Sequence, residues 1–105
     1  MYVDDVVDAV LRSLVEADLT SEALHVSSGM PIRIRDLAER VARLVGGDAE
    51  SLLDFGERDY RTGEAMNYGA DSTRTRALLG WAPQVALEEG LRRTVAYYRE
   101  LRNRA

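Results

Sequence analysis

Asp71-Ser72-Thr73-Arg74-Thr75-Arg76-Ala77-Leu78-Leu79-Gly80-Trp81-Ala82-Pro83 is the stretch on which the reading of the fold turns. Asp71 is a residue type that accepts the unpaired N–H groups of a helix start, and Gly80 is the type that closes a helix end. A short helix is therefore expected over Ser72 to Leu79. Trp81 then has a packing role beneath the next helix, and Pro83 enforces an extended step. The last helix is expected from about Leu87, with Glu88 and Glu89 at the positive end of its dipole. Leu91, Val95, Tyr98 and Leu101 form its apolar face ahead of an Arg-rich tail. Tyr97 and Tyr98 fall one on that face and one beside it, which reads as packing.

Working back towards the amino terminus, residues 56 to 69 are polar and punctuated by glycine, without clear periodicity; loops of this length are often functional. Leu52-Leu53-Asp54-Phe55 reads as a short strand. Residues Arg35 to Val45 repeat at helical spacing, with Leu37, Ala38, Val41, Leu44 and Val45 on one face, and Gly46-Gly47 is expected to end that helix in a left-handed cap. Ala23-Leu24-His25-Val26-Ser27 reads as another short strand, stopped by Ser28-Gly29 and Pro31. Asp18 to Ser21 reads as a polar loop. From Asp5 to Ala17 the apolar residues Val6, Val7, Val10, Leu11, Leu14 and Val15 form a stripe wide enough to imply burial on more than one side, with Asp4 or Asp5 as its cap.

Composition narrows the possible classes. The chain has 105 residues, one domain's worth, and a formal net charge of −4, which argues against a nucleic-acid surface. No apolar run approaches the ~18 residues of a membrane span. Zero cysteines exclude disulfides and thiolate metal sites and suit a cytoplasmic setting. His25 is the sole histidine, so it lacks the companion ligands a zinc site needs and reads as a packed strand residue.

Tyr60-Arg61-Thr62-Gly63-Glu64, Ala70-Asp71-Ser72-Thr73-Arg74, Leu79-Gly80-Trp81-Ala82-Pro83, Leu87-Glu88-Glu89-Gly90-Leu91 and Tyr97-Tyr98 follow one another in an order with a known counterpart. The series resembles the carboxy-terminal end of NAD(P)-dependent nucleotide-sugar epimerases, dehydratases and 4-ketoreductases, the extended short-chain dehydrogenase/reductase family. Tyr2-Val3-Asp4-Asp5 resembles that family's Arg-Asp-x-x-Tyr-Val-x-Asp segment without its Arg-Asp. Leu24-His25-Val26-Ser27-Ser28-Gly29 resembles its aromatic-Asn-x-Gly/Ser-x-Gly strand, with His25 in the Asn place. Arg33 replaces the Ser or Thr that caps the family's following helix. Phe55-Gly56 with Tyr60-Arg61-x-x-Glu64-x-Met66 is similar to a subgroup of reductases that make deoxyhexoses from 4-keto intermediates.

Tyr60, Arg61 and Glu64 are the candidate substrate-binding residues. A guanidinium meets diphosphate oxygens with parallel charge-assisted bonds, and Gly63 lets the backbone turn so that Glu64 accepts from sugar or ribose hydroxyls. On residue types alone, an exposed Arg61 paired with Glu57, Asp59 or Glu64 is the commoner outcome. The resemblance reverses that reading. It implies that the Arg at this place grips a nucleotide diphosphate, with the acidic residue facing the nucleoside.

The catalytic half of such an enzyme has no counterpart here. All 14 basic residues are Arg, so no Tyr-x-x-x-Lys pair exists, and no Gly-x-x-Gly-x-x-Gly follows a strand. No residue is expected to be catalytic, to bind a metal or to bind a cofactor in this chain; the resemblance assigns NAD(P) to the parent enzyme. The expectation is a small α/β fold spanning 1–105, a single domain or fragment. It would have about four helices and two or three short strands, as the substrate-side part of the extended family fold. Its expected role is non-catalytic, with weak binding of a nucleotide-diphosphate sugar; the alternative is a stand-alone binding module for a nucleotide sugar or a partner chain. The missing nucleotide-binding (Rossmann) portion, or self-association, is expected to cover the strand edges and the first helix. Neither nucleic acid nor membrane is expected as a partner.

Overall fold

A computed structural model describes residues 1–16 and 23–105. Among the described residues, four α-helices follow in order: α1 (Val3–Val15), α2 (Ile34–Val45), α3 (Thr73–Leu79) and α4 (Leu87–Arg104), with a 3-10 turn at Ala49–Leu52 between α2 and α3. They belong to two compact units. The first holds Met1–Pro31 and Gly69–Gly90, the second Ile32–Tyr68 and Leu91–Ala105. The polar loop expected over Asp18 to Ser21, and the end of the first helix at Ala17, lie outside the described residues.

The α/β class is overturned, because the described residues contain no strand. The segment 24–28 is irregular, and its carbonyls are taken by side chains of α3 and its flank instead of a β ladder. Thr75 Oγ1 donates to the His25 carbonyl at 2.6 Å, Ser72 Oγ to that of Ser27 at 2.9 Å, and an Arg76 Nη2 to that of Ser28 at 3.3 Å. Ser72 and Thr75 are buried, so their hydroxyls need these acceptors as much as the carbonyls need donors. A β-ladder requires a second extended chain about 4.8 Å away, and a helix stands there instead. Leu52 to Phe55 is likewise no strand: Leu52 closes the 3-10 turn, in which Leu53 N donates to the Glu50 carbonyl.

Around this clamp the first unit builds its core from Ala9, Leu79 and Trp81, with Leu24 and Val26 packed against them. Trp81 is 1% exposed, and its indole N–H donates to the Asp5 carbonyl at 2.9 Å. Asp5 does not cap α1, whose N-cap is Tyr2. Its buried carboxylate accepts from the backbone N–H groups of Gln84 at 2.8 Å and Val85 at 3.1 Å, fixing the extended step that Pro83 begins. Arg12 reaches from α1 to the Leu79 and Gly80 carbonyls, and Gly80, which closes α3 as expected, does so in the left-handed conformation (φ 57°). Asp71 Oδ1 accepts from the hydroxyl and the N–H of Thr73, and these bonds hold the Asp71 carboxyl below the usual carboxylate range.

The buried residues of α1 are thus the polar Asp5 and the small Ala9, with the exposed Arg12 reaching across beside them, while Val3, Val7, Val10, Leu11 and Leu14 are exposed. The wide apolar stripe does not lie buried on several sides. The reason is specific pairing. Asp5 and Arg12 have backbone partners that no aliphatic side chain can serve, and Ala9 is small enough to let Trp81 come close.

In the second unit, α2 starts at Arg33 with no side-chain cap; Arg33 pairs with Asp36 at 3.0 Å instead. The helix ends at Gly46, where φ is 74° but ψ is −169°, a region essentially restricted to glycine yet outside the left-handed helical basin. Arg99 of α4 donates from one Nη2 to the Leu44 and Val45 carbonyls, both at 2.8 Å, and so pairs the end of α2. Ala42 and Val95 are buried in this unit. Tyr97 and Tyr98 are both exposed and stack edge to face, with centroids 5.4 Å apart.

Candidate functional site

The loop between the 3-10 turn and α3 starts from an anchor. Arg35, in the first turn of α2, lies over the Phe55 ring with its guanidinium carbon 4.2 Å from the centroid. Such a contact is worth about 0.5–1 kcal/mol at an exposed site. Gly56 follows at φ 89°, a conformation that glycine adopts without strain.

Tyr60, Arg61 and Glu64 sit together on the exposed part of this loop. Glu64 N donates to the Arg61 carbonyl at 3.0 Å, and Gly63 has φ 80°, the value a type II turn requires at its third position. The turn is closed a second time, because Arg61 N donates to Glu64 Oε2, also at 3.0 Å. One carboxylate oxygen is therefore spent on holding the turn. Residues 61 and 64 are tied backbone to backbone and backbone to side chain, which brings both side chains to one short segment. Tyr60 is 76% exposed beside them.

The ion pairs to Glu57, Asp59 or Glu64 that residue types alone favour do not form. Among the described residues Arg61 has no ion pair, and its guanidinium faces solvent. An exposed guanidinium on a doubly closed turn offers planar donors to an anion such as a phosphate or carboxylate.

The helix starts do not fit a nicotinamide dinucleotide. That cofactor's pyrophosphate needs a glycine-rich turn from a strand into a helix N-terminus, whereas α1, α2, α3 and α4 are preceded by Tyr2, Arg33, Ser72 and Ala86. No hydride-transfer step is therefore assigned to residues of this chain. The Arg35–Phe55 contact and the Arg99 cap escaped sequence reading, since both join residues far apart in the chain and neither carries a periodic signal.

Comparison with known proteins agrees with the ordered motifs. The chain is 37% identical over 99 residues to a UDP-glucose 4-epimerase of Mycolicibacterium smegmatis, a match covering 94% of this chain and 30% of the relative. It is 33% identical over 101 residues to a UDP-glucuronate 4-epimerase of Thermodesulfobacterium geofontis, covering 94% of this chain and 29% of that one. A dTDP-glucose 4,6-dehydratase of Streptomyces niveus is 31% identical over 81 residues, covering 77% and 23%. No family model matches the chain. No solved structure matches it either. The chain belongs to the extended short-chain dehydrogenase/reductase family of nucleotide-sugar epimerases, dehydratases and ketoreductases, as a carboxy-terminal portion of that fold. It spans about 30% of the length of curated relatives it matches. Among the described residues, no helix is long and apolar enough to cross a membrane.

Proposed function

We propose that this chain is the substrate-side portion of an NAD(P)-dependent enzyme acting on nucleotide-diphosphate sugars, and that it performs no catalysis alone. Arg61 takes the diphosphate, Glu64 accepts from a hydroxyl of the nucleoside or sugar through its remaining oxygen, and Tyr60 flanks the ligand. The observation that carries this reading is the doubly closed Arg61–Glu64 turn, which leaves the Arg61 guanidinium without an ion pair. The nucleotide-sugar names of the relatives support the ligand class. Phe55-Gly56 and Tyr60-Arg61-x-x-Glu64-x-Met66 favour a 4-keto-deoxyhexose reductase within that class. NAD(P) and the catalytic Tyr and Lys would come from residues outside this sequence.

A half-built pocket binds weakly. A millimolar dissociation constant, about −4 kcal/mol, is the expected scale. On titrating UDP-glucose or dTDP-glucose, amide shifts should cluster from Tyr60 to Met66 and disappear in Arg61→Ala. Shifts that cluster elsewhere and persist in that variant would overturn the site.

A further inference from the structure

We propose that Glu64 is a positioning residue for the candidate anion site: its carboxylate latches the turn that presents Arg61, and so promotes diphosphate binding although its own charge opposes it. The role rests on the nucleotide-sugar reading of this loop and adds to it a task for Glu64 that acts through Arg61. Residues 56 to 70 are all exposed, so no core side chain fixes them. The hydrogen bonds that they make among the described residues both join Arg61 to Glu64. The neighbouring anchors, Arg35 over Phe55 and the Asp71 carboxylate on Thr73, lie outside the turn.

Of the two bonds, the one from Arg61 N to Glu64 Oε2, at 3.0 Å, is the one that a side chain supplies. Its acceptor is a carboxylate, which makes it charge-assisted. The net strength of an ordinary hydrogen bond corresponds to about a 2- to 12-fold shift in population. A guanidinium on a loose loop must be ordered as it binds, so a turn already closed lowers the cost of taking an anion. Charge works in the opposite sense. A carboxylate in the same turn as Arg61 repels a diphosphate, so a Glu64 that merely stood nearby would weaken anion binding. Latch and bystander therefore predict opposite signs when the carboxylate is removed. A contact to a nucleoside or sugar hydroxyl predicts no loss for an anion that carries neither. Gly63 gives an independent handle on the same turn. Its φ of 80° suits glycine, and a methyl group there would meet no atom within 4 Å. Gly63→Ala therefore strains the turn without changing charge or packing.

The test is an NMR titration of the 105-residue chain with inorganic pyrophosphate at constant ionic strength, following the amide and side-chain Nε–H signals of Arg61. Glu64→Ala and Gly63→Ala should each weaken binding by about 2- to 12-fold. Glu64→Gln keeps an oxygen acceptor for the Arg61 N–H and drops the charge, so it should bind at least as tightly as the wild type. Before any ligand is added, the Arg61 amide should exchange with water more slowly in the wild type and Glu64→Gln than in Glu64→Ala. The latch is overturned if Glu64→Ala binds pyrophosphate as well as the wild type or better. It is also overturned if Glu64→Gln is as weak as Glu64→Ala, if Gly63→Ala has no effect, or if Arg61 exchanges equally fast in all of them. Arg61→Ala separates this failure from that of the site itself. When it abolishes binding, the anion site stands and only the latch falls. Pyrophosphate binding that survives Arg61→Ala, or wild-type Arg61 signals that never move, removes the site and the latch together.

Discussion

Asp5 and Asp71 do the same chemical job at different range. Each gives a carboxylate to backbone N–H groups where the chain enters a helical region. Asp71 serves Thr73, two residues on, from one position before the N-cap, which is Ser72 and not the expected Asp71. Asp5 serves Gln84 and Val85, 79 and 80 residues away, and its own carbonyl takes the Trp81 indole. Removing the Asp5 carboxylate strips two charge-assisted bonds from partly buried donors. Asp5→Ala is expected to cost about 3 kcal/mol, read as a lower urea midpoint at unchanged slope. A change within about 0.5 kcal/mol, the size of an ordinary surface substitution, would show that water replaces the carboxylate without loss. Arg12 and Arg99 form a second pair of this kind, each bonding carbonyls at the end of another helix.

At the scale of elements, the first turn of α4 passes Tyr2, the residue before α1, at a point where a side chain would be crowded. A Cβ at Gly90 would lie 3.0 Å from Tyr2 Cβ and 3.2 Å from Tyr2 Cδ2. Two effects oppose each other in Gly90→Ala. Helix propensity gains about 1 kcal/mol, and overpacking against a Cβ attached to the backbone costs about 1–3 kcal/mol. The clash should win, lowering the melting temperature; a rise would mean that the amino-terminal residues yield freely. The same scale holds the correction to the fold class. Alternation in Leu24 to Ser27 signals an extended backbone, but a strand is defined by its neighbour. Here the neighbour is α3, whose Thr75 and neighbouring Ser72, three residues apart on one side, reach alternate carbonyls of that segment, those of His25 and Ser27.

For the molecule as a whole, the chain carries the motifs of one end of its family and lacks the glycine cradle and lysine of the other. Titration calorimetry with NAD+ and NADPH is therefore expected to give no heat of binding. Micromolar affinity would mean that the chain builds a cofactor site its helix starts do not suggest. The sequence alone determined the four helices, the glycine ends at Gly46 and Gly80, the Arg61–Glu64 turn and the family, because each rests on contacts within about four residues or on motif order. Only the tertiary structure decided which face of α1 turns inward, where Asp5 and Arg12 find partners, that α3 and not a strand receives residues 25–28, and that Arg61 is left without an ion pair. Those outcomes depend on which distant groups meet once the chain closes on itself. A buried carbonyl, carboxylate or indole N–H accepts whichever suitable partner that closure brings within reach.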